Sequence, residues 1–121
     1  MSIENVYESG KVVRYHSNPH LSVYAQTVAD HAWGCAVLIF MLHPYPTRSL
    51  LTAALLHDAG ERWAGDIPYP VKSYAPEMAA DHARVEARLA LENGVPSLVL
   101  SATDRAWLKF VDRLEALLFA P

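Results

Sequence analysis

At 121 residues, with 52% of them apolar and a formal net charge of −3, the chain has the size of one domain with a single core. That composition excludes a disordered chain, and a mildly acidic balance without a basic patch excludes the electrostatic footprint of a duplex nucleic-acid binder. A single cysteine, Cys35, excludes a disulfide framework and points to a reducing compartment.

Met1 to Gly10 has neither a basic start nor an apolar h-region, so no signal peptide is expected. Ser2 to Ser9 reads instead as a short helix, with Ser2 as N-cap and Gly10 as its stop. Lys11 to His20 reads as a loop or short extended piece that gathers Arg14, Tyr15, His16 and His20. From Thr27, an N-cap with Asp30 three residues on, the pattern turns helical. Apolar side chains then occur nearly all round the helix to Leu42, and Pro44 and Pro46 end it. The apolar run Ala32 to Leu42 is too short to span a bilayer, so a soluble intracellular protein without membrane contact is expected.

A third helix is expected from Thr47 to about Trp63, followed by a turn-rich loop from Gly65 to Tyr74. Pro76 at an N1 position opens a fourth helix that closes at Asn93-Gly94. Pro96 or Ser97 opens a last helical stretch to Phe119, with a break near Ser101. In it Trp107, Phe110, Val111, Leu114, Leu117 and Leu118 keep a spacing of three and four. No stretch alternates with period two, and no repeat or linker interrupts the chain. The expected fold is all-α: a single compact bundle of about five helices, with residues 1–121 as one domain.

The chemistry concentrates where the apolar run Leu50 to Leu56 delivers an adjacent His57-Asp58 pair. Neighbours on a helix diverge by about 100°, so both side chains can reach one point off its face. Glu61 follows at i+4 from His57 and i+3 from Asp58, so it is expected on the same side. Asp66 lies in the loop beyond. His31 and Asp112 stand inside two other apolar helical stretches, where a buried carboxylate is costly unless something positive answers it. Two imidazoles and two carboxylates from three helices make a mixed nitrogen and oxygen set. That set suits Mn²⁺, Fe²⁺, Co²⁺, Ni²⁺ or Zn²⁺ better than Ca²⁺. Taken singly, each residue also has an ordinary reading: a satisfied core histidine for His31, a surface acid for Asp58 or Asp112. His82, among Asp81, Arg84 and Glu86, reads as solvated.

His31, then His57-Asp58, then Asp112, in this order on helices, resembles the H…HD…D signature of the HD-domain metal-dependent phosphohydrolases. Gln26-Thr27-Val28-Ala29-Asp30-His31, and His57-Asp58-Ala59-Gly60-Glu61 through Gly65-Asp66-Ile67-Pro68-Tyr69-Pro70-Val71-Lys72, are similar to the nucleotide-cleaving branch. That branch holds the 5′-deoxynucleotidases and the small phage dATP triphosphohydrolases. Arg14-Tyr15 falls where those relatives carry Arg and an aromatic, usually Trp. The chain ends soon after Asp112, so the family's closing C-terminal helices are expected to be missing.

The resemblance implies one divalent transition metal on His31, His57, Asp58 and Asp112, with room for Mg²⁺ besides on the substrate phosphates. It implies Glu61 as the acid/base carboxylate and Asp66 near the leaving oxygen or sugar. Arg14 and Lys72 are implied as phosphate clamps, Tyr15 as a stacking ring, Gln26 as a base or sugar partner and Pro70 as pocket wall. The implied reaction is hydrolysis of deoxynucleotides at the α-phosphate, leaning to a dNTP triphosphohydrolase. A 5′-deoxynucleotidase and a non-catalytic nucleotide- or protein-binding HD module are the alternatives. A homo-oligomer in the cytoplasm, the host's if the gene is a phage's, completes the expectation.

Overall fold

Helices begin where a hydroxyl residue precedes an apolar run. Ser2 Oγ accepts from Asn5 N (3.3 Å), Thr47 Oγ1 from Leu50 N (3.0 Å) and Ser101 Oγ from Asp104 N (3.1 Å), satisfying amides that the first turn leaves unpaired. The computed structural model describes residues 2–120. In chain order the helices are α1 (Ile3–Ser9), α2 (Val28–Leu42), α3 (Arg48–Leu56), α4 (Glu61–Ala64), α5 (Tyr69–Tyr74), α6 (Pro76–Glu92) and α7 (Ala102–Phe119), with a 3₁₀ turn at Ser22–Tyr24. Among the described residues the extended pairing is confined to an isolated antiparallel bridge between Val13 and Thr27. The fold is all-α, as expected.

The helix count departs from expectation at three places. The third helix does not run to Trp63: it stops at Leu56, residues 57–60 form a turn, and Glu61 opens the separate four-residue α4. His57 and Glu61 are therefore not neighbours on one helix. The turn-rich loop contains a helix of its own, α5, with Pro70 in its first turn, where a missing N–H costs nothing. The last helix starts only at Ala102, behind its Ser101 cap.

The chain divides into two units, one formed by the residues through Val28 with Ala59–Ser97, the other by Ala29–Asp58 with the residues from Leu98 on. In the second unit, α2, α3 and α7 share a core of Cys35, Ile39, Leu50, Ala54 and Val111. The α2 stripe is His31, Cys35 and Ile39 at a spacing of four, all fully buried. Ala53 and Ala54 are buried on α3, and such small side chains allow close helix approach. Thr47 ties two helix starts together: besides capping α3 it donates to Asp104 Oδ2 (2.8 Å) in the first turn of α7. The sequence suggested that α2 packs nearly all round; instead Trp33, Phe40 and Met41 stay 68–74% exposed on its far side.

In the first unit, Asn5 Nδ2 donates to Asn93 O (2.8 Å), which joins α1 to the end of α6. Arg62 on α4 pairs with Glu8 on α1 (2.9 Å). No helix among the described residues is long and apolar enough to cross a membrane.

Candidate metal centre

The four residues expected from the sequence as metal ligands lie in the α2–α3–α7 unit. His31 comes from the buried stripe of α2, His57 and Asp58 from the turn that follows α3, and Asp112 from the middle of α7. Their side chains converge. His31 Nε2 lies 2.7 Å from Asp112 Oδ1 and 3.5 Å from Asp58 Oδ2. His57 Nε2 lies 3.2 Å from each of the same two oxygens. Donor atoms held about 2.1 Å from one ion sit roughly 3.0 Å apart at a right angle and roughly 3.4 Å apart at a tetrahedral one. The observed spacings bracket those values. Contrary to expectation, the Asp112 side chain is not buried but 43% exposed, so the centre is open to solvent on that side.

The outer nitrogens of both rings decide what the inner ones can do. His57 Nδ1 faces the carbonyl oxygens of Ala53 and Ala54 (3.1 Å each), which can only accept, so Nδ1 carries the hydrogen. His31 Nδ1 is bonded to the carboxylate of Glu115. In a neutral ring this leaves a bare lone pair on Nε2, aimed at carboxylate oxygens. Lone pairs repel unless a proton or a cation stands between them. Without a metal, protonation supplies that charge. Burial opposes the charged form of His57, but the hydrogen bonds and charges of Asp112 and Asp58 outweigh it and raise its pKa to about 10. Burial likewise presses the Asp58 and Asp112 carboxyls upward, yet the imidazoles beside them hold both below the usual carboxylate range. Donor set, spacing and charge demand all fit one divalent cation. Nδ1–H held by a carboxylate or a carbonyl is also the outer arrangement that orients metal-bound histidines.

Cys35 Sγ is a neighbour of this centre that the sequence did not single out. It lies 3.6 Å from His31 Nε2 but also 3.9 Å from Nδ1. A sulfur nearly equidistant from both ring nitrogens sits beside the ring, off the Nε2 axis, and out of reach of an ion on that axis. Although Cys35 can be grouped with His31, His57 and Asp112 by proximity, we read it as packing.

Glu115 is the second residue missed. It is 8% exposed, a carboxylate buried behind His31. A signal for it was available: Gly34 sits in the interior of α2, where glycine costs about 1 kcal/mol relative to alanine. A Cβ at Gly34 would stand 2.8 Å from Glu115 Cγ, so the glycine makes room for the acid.

The other residues singled out in the sequence belong to the unit that contains α4, α5 and α6. Three of them are brought together. Arg14 N donates to Gln26 O (2.8 Å), and the Arg14 guanidinium donates to Gln26 Oε1 (2.7 Å). The same guanidinium lies over the Tyr15 ring, 4.7 Å from its centroid. Tyr15 adopts a left-handed backbone (φ 57°), a strain on the order of 1 kcal/mol for a residue with a side chain. Gln26 is buried and orients Arg14. Glu61 opens α4, Asp66 follows it, and Pro70 and Lys72 lie exposed on α5. His82 is not the solvated residue the sequence suggested: its ring is 18% exposed, and Nε2 lies 2.8 Å from Gly65 O.

Comparison with known proteins gives the family. The family model described as "HD domain" matches residues 11–117. A dATP triphosphohydrolase of Cyanophage S-2L is 30% identical over 104 residues, an alignment that covers 81% of this chain and 58% of that protein. The chain thus spans a little over half the length of that relative. A match over nearly the whole chain, on a helical frame that brings H, HD and D side chains to one point, means that the chain belongs to the HD-domain family.

Proposed function

We propose that the chain is a metal-dependent nucleotide phosphohydrolase, a single HD-type domain over residues 1–121, whose His31, His57, Asp58 and Asp112 hold one divalent ion. The observation that carries this reading is the approach of each of two imidazole nitrogens to within 2.7–3.5 Å of the same two carboxylate oxygens. Such an ion, Mn²⁺, Fe²⁺, Co²⁺, Ni²⁺ or Zn²⁺, supplies Lewis acidity toward a phosphoryl oxygen and lowers the pKa of water. Phosphoryl transfer otherwise asks the protein for positioning and charge. In this reading Glu61 takes the proton of the attacking water and Asp66 acts near the leaving oxygen or the sugar. Arg14, oriented by Gln26, offers a two-pronged fork to phosphate, and Lys72 adds a point charge. Tyr15 stacks on the base, and Pro70 shapes the pocket wall.

The substrate proposed is a deoxynucleoside triphosphate, cut at the α-phosphorus to nucleoside and triphosphate. The name of the cyanophage relative supports that choice over a monophosphate. A homo-oligomer fits the four large apolar side chains left in water on α2, Trp33, Phe40, Met41 and Leu42, and the location proposed is the cytoplasm, the host's if phage-encoded. The test is product analysis with dATP, dAMP and a panel of deoxy- and ribonucleotides, with Mn²⁺ or Co²⁺ added. Triphosphate released from dATP supports the proposal, and phosphate from dAMP alone would make the chain a 5′-deoxynucleotidase. No bound metal and no turnover would make it a binding module. Glu61→Ala is expected to keep the metal and lose roughly 10²–10⁴-fold in turnover; full activity would remove its assigned role.

A further inference from the structure

Helix α4, which carries Glu61, is four residues long, and its N-cap, Gly60, has no side chain to bond the first amides. A single turn of that kind does not hold itself. Besides the Arg62–Glu8 pair with α1, α6 holds it at two points one turn apart. At the start of α4, Gly60 lies so close to α6 that a Cβ there would stand 2.7 Å from Glu86 Cγ and 3.0 Å from Glu86 O. At its end the last carbonyls, left unpaired by the helix, are taken up by one side chain: His82 Nε2 lies 3.3 Å from Ala64 O and 2.8 Å from Gly65 O. Carbonyls only accept, so Nε2 carries the hydrogen. On the other side of the ring, Nδ1 lies 3.6 Å from Glu86 Oε2. Gly65 itself has φ +73°, a backbone state that lets the chain leave α4 abruptly toward Asp66.

We propose that α6 is the splint of the segment from Glu61 to Asp66, and that His82 is a positioning residue. Its Nε2–H pins Gly65 and thereby fixes where the carboxylates on either side of that pin stand. This rests on the reading of Glu61 and Asp66 as site residues. It gives His82 a role without contact to substrate or metal.

The experiment compares His82→Ala, His82→Gln and His82→Asn with the parent chain. A glutamine amide nitrogen is three bonds from Cβ, as Nε2 is, and restores the donor; that of asparagine is one bond short. Three readouts are taken: amide hydrogen exchange of residues 61–67, Mn²⁺ affinity by calorimetry, and kcat and KM on whichever nucleotide the parent cleaves. In His82→Ala we expect exchange in that segment to quicken about 10-fold or more. Mn²⁺ affinity should stay within about two-fold, because the substitution removes none of the four candidate ligands. We expect kcat to fall on the order of 10-fold, with KM changing less. Glutamine should restore both exchange and kcat; asparagine should restore neither. Unchanged exchange in His82→Ala overturns the proposal, as does faster exchange at full kcat, or rescue by asparagine but not glutamine. If His82→Ala fails to fold, the glutamine and asparagine variants carry the same comparison. A parent chain inactive on every nucleotide would refute the hydrolase reading. The exchange pattern would then still decide whether His82 pins the segment.

Discussion

Replacing Gly34 by alanine tests the link between the core of α2 and the candidate metal centre, because the structure reverses the sign that helix propensity alone gives. Gly→Ala in a helix interior ordinarily stabilises by about 1 kcal/mol. Here the new Cβ would stand 2.8 Å from Glu115 Cγ, a separation at which something must move. The Glu115 side chain is buried and bonded to His31 Nδ1, so its displacement breaks a hydrogen bond to a charged group, worth about 1.5–3 kcal/mol. The balance is a net loss of roughly 0.5–2 kcal/mol, a fall in Tm of several degrees for a chain of this size. His31 also loses its outer partner, so affinity for Mn²⁺ should fall about 10-fold or more. Thermal unfolding in chelator and calorimetric titration read the two effects separately. In a Glu115→Ala background the space is free, and Gly34→Ala should stabilise by the ordinary amount. A stabilised Gly34→Ala single variant, or the same effect in both backgrounds, would refute the reasoning.

Two further outcomes follow from the same geometry. Cys35→Ala should cost on the order of 1–2 kcal/mol of stability from lost packing and leave Mn²⁺ affinity within about three-fold; the Co²⁺ form should show no sulfur charge-transfer band, and such a band would make Cys35 a ligand. In the metal-free chain His57 stays protonated up to a pH of about 10, whereas a metal needs its neutral ring. Loading at pH 7–8 should therefore release about one proton per ion, and affinity should rise with pH toward that value. Calorimetry in buffers of different ionisation enthalpy measures the release, and none at all would contradict the assignment.

The parts of the fold legible in the sequence are those set by local chemistry. Ser2, Ser101 and Thr47 cap helices because their hydroxyls suit the first turn, and Pro76 starts α6 because its missing N–H is harmless there. The four candidate ligands were legible because order and spacing on apolar helices are sequence properties. What escaped depends on neighbours distant in the chain. The break after Leu56 was hidden because Ala59 and Gly60 continue a helical pattern, and it takes the approach of α6 to show why residue 60 is glycine. Glu115 looked like one more acid on α7 until His31, 84 residues earlier, was found against it. His82 looked solvated because its sequence neighbours are charged, while its real partners are carbonyls 17 and 18 residues away.

The central claim is that one cation joins α2, α3 and α7 through His31, His57, Asp58 and Asp112. Titration of the metal-free chain with Mn²⁺, followed by calorimetry, tests it most directly, with Asp112→Ala beside it. The expected result is one ion per chain, with affinity reduced in Asp112→Ala by more than the roughly 100-fold that loss of an outer partner can cause. Failure to bind, or binding that Asp112→Ala leaves intact, would contradict it.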